Sequence, residues 1–151
     1  MRARIPDMRN AILASLLMAA CSVATLHAEK KPVHPKEFAK GGPFSPGILS
    51  DGTLYVSGQV GRDLKTNQYP TEFEAEVKTC LDNIGIILKE GGMSFADAVS
   101  VQVYLTDMEL FPRMNAVYTK FFPEPRPVRT TVGVAKLVGA ARIEITVTAR
   151  K

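Results

Sequence analysis

From Phe73 to Leu88 the apolar residues return at helical spacing, so that Phe73, Val77, Cys80, Leu81, Ile84, Ile87 and Leu88 fall on one face of a helix. Gly91-Gly92 closes the run, because glycine takes a left-handed cap at little cost. At the start, Thr71 and Glu74 have the T-x-x-E spacing of a capping box, which satisfies free N–H groups of the first turn. A helix that is apolar on one side must lay that side on another element. Only one other stretch has this period: Met114, Val117, Tyr118 and Phe121 share a face between about Glu109 and Phe121, with Pro112 tolerated in the first turn.

The remaining ordered segments read as strands. Asp51-Gly52 lies between two apolar runs, a hairpin signal because a type I′ turn needs positive φ at both central residues. Ile48–Ser50 and Thr53–Gly58 are therefore expected to pair. "AVSVQVYLTD" alternates Val99, Val101, Val103 and Leu105 with Ser100, Gln102 and Tyr104. After "PEPRP", the stretch "RPVRTTVGVAKLVGAARIEITVTAR" supplies two final strands. The order is β-β-α-β-α-β-β, and two amphipathic helices can cover only one face of a sheet. The expectation is an α+β two-layer sandwich over residues 47–151. Residues 29–46, rich in Pro, Gly and Lys, read as a linker and N-terminal loop.

Alternation assigns the side chains of the last strands. Val128, Thr130, Val132 and Val134 are expected under the helices with Ile143, Ile145 and Val147. Arg129, Thr131, Gly133 and Ala135 are expected on the open face with Glu144, Thr146 and Thr148, joined by Thr53, Tyr55, Ser57, Gln102 and Tyr104. A wet sheet face is normally richer in charge. Small uncharged groups suit contact with a second copy of the chain, most simply in a closed ring; the alternative is a wet face that uses Thr for its strand propensity. Semi-buried Arg129 and Glu144 would need partners or ligands there. A guanidinium fork matches a carboxylate with two parallel hydrogen bonds, and a carboxyl in a water-poor cleft can move protons near neutral pH. Structural pairing of the two residues is the other reading.

Composition removes several classes. Of 151 residues, 46% are hydrophobic and 23% charged, ordinary for one globular domain. Three arginines against one aspartate in the first ten residues supply +2 of the formal +4, and no basic stripe remains for nucleic acid. Beyond residue 28 the chain has one histidine, His34, and no His, Cys and acid cluster at metal-ligand spacing. "GGPFSPG" precedes a strand and so does not set phosphate on a helix N-terminus. Cys80, on the apolar helix face, reads as a small core residue.

The N-terminus reads as an export signal. Arg2, Arg4 and Arg9 precede Ala11–Ala28, a stretch without Asp, Glu, Lys or Arg. Residues 1–28 would be removed as a signal peptide; alternatively, "LLMAACS" resembles a bacterial lipoprotein signal, with residues 1–20 removed and Cys21 lipidated. Either route implies a periplasmic location, with membrane attachment only if Cys21 is lipidated.

The motifs "GPFSPG", "YVSGQVG", "TCLDNIGIILKEGG", "VQVYLTDM", "MNAVYTKFF", "PVRTTVGVAKL" and "RIEITVTA" resemble the RidA (YjgF-type) family of reactive-intermediate deaminases. The resemblance implies a chorismate-mutase-like (YjgF-like) fold, a homotrimeric barrel with clefts between subunits, and no cofactor. It implies hydrolysis of enamines and imines such as 2-aminoacrylate to a 2-keto acid and ammonia. By the same resemblance Arg129 binds the substrate carboxylate and Glu144 positions or activates water. Ser57 and Gly58 line the pocket with Asn115. Phe44 stands where the family usually has Tyr, and Thr131, whose backbone N–H can still bind a carboxylate, stands where Cys is frequent. Two other classes stand beside the deaminase: an exported module that binds small carboxylates or a protein without chemistry, and, ranked last for want of basic and aromatic features, an endoribonuclease.

Overall fold

Asp51 and Gly52 both take positive φ, 48° and 69°, and turn β2 (Gly47–Ser50) back into β3 (Thr53–Val60). That is the hairpin expected of Asp-Gly. The computed structural model describes residues 29–151; the segment read as an export signal and Cys21 lie outside the described residues. The segment read as a linker contributes an edge strand, β1 (Lys31–Val33), paired with β2. β4 (Ala98–Leu105), β5 (Val128–Gly133) and β6 (Ile143–Arg150) complete a six-stranded sheet of order β1-β2-β3-β6-β4-β5. β6 is antiparallel to both β3 and β4, and β5 is parallel to β4.

Helix α1 (Phe73–Glu90) and helix α2 (Phe111–Tyr118) form the second layer. Phe73, Val77, Leu81, Ile84, Ile87 and Leu88 of α1 are all fully buried. Each such side chain contributes about 1.5–3 kcal/mol relative to exposure. They meet Leu54, Val56, Val101, Val103, Leu105, Ile143, Ile145 and Val147 of the sheet. The C-terminus of α1 is a Schellman motif: Gly92 takes φ +74°, its N–H donates to Lys89 O, and the Met93 N–H donates to Leu88 O.

Four expectations are corrected. The capping box does not form: Glu72 is the N-cap and makes no side-chain cap bond. Glu74 instead receives Nε–H and Nη2–H of Arg113 on α2, both at 2.7 Å. A charge-assisted fork is stronger than a neutral cap bond and claims the carboxylate. Helix α2 is shorter than expected, because a 3-10 turn, Met108–Leu110, capped by the Asp107 side chain, takes up its beginning. In β4 the register slips between Ala98 and Ser100, which turns Val99 outward (47% exposed) and buries Ala98.

The fourth correction bears on function. β5 pairs with β4 so that Arg129 lies beside Val101 and Thr131 beside Val103, two core-facing valines. Arg129, Thr131 and Gly133 therefore face the helix layer, while Val128, Thr130 and Val132 face the open side. The expected assignment is inverted. Alternation gives the period of a strand but not its phase, and on this edge strand, with no fully buried residue, the phase that carries both valines turns outward. Glu144 keeps its expected place on the open face, beside Tyr104.

Candidate functional site

The inversion puts the two charges singled out in the sequence on opposite faces of one sheet. Each has its own surroundings.

Glu144 lies near the start of β6, opposite Val60 of β3. The β3–β6 register slips between Val56 and Gln59, so Ser57 and Gly58 bulge out of the ladder. The bulge is tied down: Ser57 N–H and Oγ–H donate to Pro46 O at 2.9 and 3.1 Å, and Gln59 Nε2 donates to Ser57 Oγ at 2.9 Å. A Cβ on Gly58 would fall 2.0 Å from Glu144 Oε1, so only glycine lets the carboxylate rest there. Around it opens a cavity of about 550 Å³, lined by Phe38, Phe44, Leu64, Tyr69 and Val138 with Gln59, Asn83 and Arg62 as polar wall. Tyr69 Oη–H donates to Val138 O at 3.3 Å and ties the β5–β6 loop to the cavity mouth. None of the ion pairs among the described residues includes Glu144 or Arg62.

Arg129 lies on the β5 edge of the sheet, under α2. Its guanidinium carbon stands 4.5 Å from the centre of the Tyr118 ring and 5.5 Å from that of Phe111. Such contacts are worth roughly 0.5–2 kcal/mol each and fix the guanidinium plane. It too has no carboxylate partner among the described residues. Beside it, Thr131 Oγ1 and Tyr118 Oη are buried without a hydrogen-bond partner. An unpaired buried polar atom costs about 1–3 kcal/mol. Burial pushes the Tyr118 phenol up, against the pull of the Arg129 charge, so it keeps its proton and can donate. Asn115 shares the α2 face of Phe111 and Tyr118 by its i, i+4, i+7 spacing. A fixed cation beside two unsatisfied hydroxyls is chemically suited to a small carboxylate.

A family profile described as Endoribonuclease L-PSP matches residues 35–151. The chain belongs to the YjgF/RidA family. It is 40% identical over 111 residues to a RutC family protein of Sulfurisphaera tokodaii, covering 73% of this chain and 89% of that one. It is 40% identical over 105 residues to the 2-iminobutanoate/2-iminopropanoate deaminase of Bos taurus, covering 69% and 77%. Among solved structures, E. coli TdcF with bound serine superposes with a TM-score of 0.74 at 28% identity, covering 80% of this chain and 99% of that one.

Of the YjgF/RidA residues singled out in the sequence, Phe44, Ser57, Gly58 and Glu144 line one cavity. Arg129, Thr131 and Asn115 belong to the other side of the sheet. Sequence reading missed the rings of Phe111 and Tyr118 over Arg129, and missed Gln59, Asn83 and Arg62 in the cavity wall. The helical spacing of Phe111 and Tyr118 was visible, but it signals core as readily as site. Cys80 is fully buried, its thiol pushed up by desolvation, as suits a core residue. Among the described residues no group of His, Cys, Asp and Glu could hold a metal, and no helix is long and apolar enough to cross a membrane.

Proposed function

We propose that this YjgF/RidA protein hydrolyses imines and enamines of small 2-amino acids, of the 2-aminoacrylate type, to 2-keto acids and ammonia. The observation that carries the reading is the pair of incomplete half-sites. One holds an unpartnered guanidinium beside two orphaned hydroxyls. The other holds an unpartnered carboxylate in a cavity of about 550 Å³. In this reading three copies assemble through their open faces, and Arg129 of one copy meets the Glu144 cavity of the next. The open face supports this: Tyr55, Val128 and Val132 are exposed at 53%, 71% and 41%, apolar surface that a second copy would cover.

The chemistry needs no group beyond these. Arg129, with Thr131 and Tyr118, holds the substrate carboxylate and so orients the imine carbon. Glu144 takes a proton from water as the oxygen attacks the imine carbon and passes it to the nitrogen, giving a carbinolamine; it then takes the hydroxyl proton as the carbonyl forms and passes that to the nitrogen, so that the carbon–nitrogen bond breaks and ammonia leaves. The deaminase name of the bovine relative supports the reaction class. Phe44 brings no hydroxyl to the cavity, so protonation of nitrogen falls to Glu144 and water. The serine bound in TdcF favours a second reading, a carboxylate-binding module without turnover. Generating 2-aminoacrylate enzymatically and measuring pyruvate and ammonia separates the two: acceleration over the spontaneous rate that Glu144→Gln abolishes supports the enzyme, and tight carboxylate binding without acceleration supports the module. Residues 1–28 would direct export in either case; the intact mass of protein from the cell envelope should begin after Ala28 or at a lipidated Cys21, and full-length protein in the cytosol would count against both routes.

A further inference from the structure

Helix α1 is not uniformly apolar on its buried side. Glu76, Cys80 and Asn83, spaced i, i+4 and i+7, form a polar seam that is fully or almost fully buried. Every member of the seam is bonded to the segment that carries the Glu144 cavity. Asn83 Nδ2 donates to Val60 O at 3.2 Å and to Arg62 O at 2.9 Å, and the Cys80 thiol lies 3.0 Å from Gln59 O and donates to it. Glu76 Oε1 accepts the backbone N–H of Arg142 at 2.7 Å, and Oε2 accepts its side-chain Nε–H at 2.5 Å. Arg142 Nη2 then donates to Pro70 O and Thr71 O, at 2.9 and 3.0 Å.

Helix–sheet packing alone would be served as well by leucines, and a carboxylate that is 0% exposed is costly to bury unless it is paired. Its partner, Arg142, lies two residues before Glu144, immediately ahead of β6. Gly61 completes the fit: a Cβ there would fall 2.2 Å from Glu76 O and 2.4 Å from its Cγ, so the strand end can touch the helix only without a side chain. The seam thus grips both banks of the cavity, the bulged end of β3 that presents Gly58 and the start of β6 that presents Glu144. The geometry points to Glu76 and Arg142 as positioning residues for Glu144. They set where its carboxylate rests on Gly58 and how the 62–71 loop walls the cavity. This rests on the catalytic part proposed for Glu144.

The test compares Glu76→Gln and Arg142→Lys with Val33→Ala, a core truncation on β1 at the far edge of the sheet. All are made in the full chain and normalised to folded protein. Glu76→Gln should lower kcat by up to about 10²-fold with KM within about twofold, since the Arg129 half-site is untouched. Arg142→Lys, which keeps the charge but loses the fork, should show the same split at smaller amplitude, and it stands in if Glu76→Gln does not fold. Val33→Ala should lower Tm and leave kcat unchanged. The second readout does not use activity: NMR shifts of the Gly58 amide and the Glu144 side-chain carboxyl should move in Glu76→Gln and stay in Val33→Ala. Moved resonances in a protein whose wild type turns over no imine would reject the deaminase reading and keep the positioning role. Unmoved resonances, or a kcat per folded molecule equal to wild type, would overturn it.

Discussion

Because Arg129 and Glu144 lie on opposite faces of one sheet, no chain can hold a complete site by itself if both residues act on one substrate. Two inactive variants should then repair each other. Arg129→Ala removes the carboxylate fork, at about 1.5–3 kcal/mol for a charged hydrogen bond, or roughly 10–150-fold in kcat/KM. Glu144→Gln keeps the shape but removes the base, at roughly 10²–10⁴-fold in turnover. In a ring, each cleft takes one bank from each of two neighbouring chains. When the variants are co-expressed in equal amounts and assemble at random, each bank is wild type in half of the chains, so roughly a quarter of the clefts are intact. The mixture should show about a quarter of wild-type kcat with wild-type KM, greatest at equal mixing and falling symmetrically on either side. The assay is pyruvate release from 2-aminoacrylate on the whole assembled mixture, with a different tag on each variant to verify the mixing ratio. A mixture no more active than the mean of its parents would mean that one chain supplies both residues or that they never act together.

Gly58→Ala and Gly61→Ala should part company. The first collides with the movable end of Glu144, so it should fold and lose turnover, whereas the second meets Glu76 backbone at 2.2 Å and should cost about 1–3 kcal/mol or more in urea unfolding. Tyr118→Phe removes an orphaned buried hydroxyl, so by thermal melting the free protein should be as stable as wild type or more so, while calorimetric affinity for a small carboxylate falls by about 0.5–1.5 kcal/mol. Glu74 is held at about 2, below its ordinary 4.5, chiefly by the hydrogen bonds from Arg113. A depressed carboxylate stabilises the fold above its unfolded value and loses that contribution as pH falls through its folded value. The Tm gap between wild type and Glu74→Gln should therefore be full near neutrality, shrink below about pH 4.5 and close near about pH 2; a gap that widens with acid would contradict the assignment.

What could be read from the sequence followed from signals that are local. The Asp51-Gly52 turn, the apolar face of α1 and the glycine stop at its end each depend on a few neighbouring residues, and each stands in the structure. The errors arose where long-range pairing decides. Thr71 and Glu74 had the spacing of a cap, but Arg113, 39 residues further on from Glu74, claimed the carboxylate. Val99 alternated correctly until a bulge in the ladder with β6 shifted its side. β5 reads Val-Arg-Thr-Thr-Val-Gly with both valines on one phase, which points that phase inward, yet its pairing with β4 turns it outward. Glu76 lay in plain view on α1, but a carboxylate at a core position cannot be recognised as bonded until Arg142 is seen beside it.

The sheet has two edges, and they are not protected alike. The β1 edge is three residues long and includes Lys31 and Pro32, a charge and a residue without an N–H, so little can add to it. The β5 edge runs six residues without proline, its one charge, Arg129, is turned toward the helices, and Val128 and Val132 are exposed along it. Among the described residues it pairs only with β4. An edge of that kind is a template for any extended chain that meets it. Assembly would then be a matter of solubility as well as of activity, because it withdraws this face of the molecule from chance encounters. A variant blocked from assembling should precipitate before it unfolds, at a rate climbing steeply with concentration in a light-scattering assay. A charge set on the exposed side of that edge, as in Thr130→Lys, should slow the loss without raising the melting temperature.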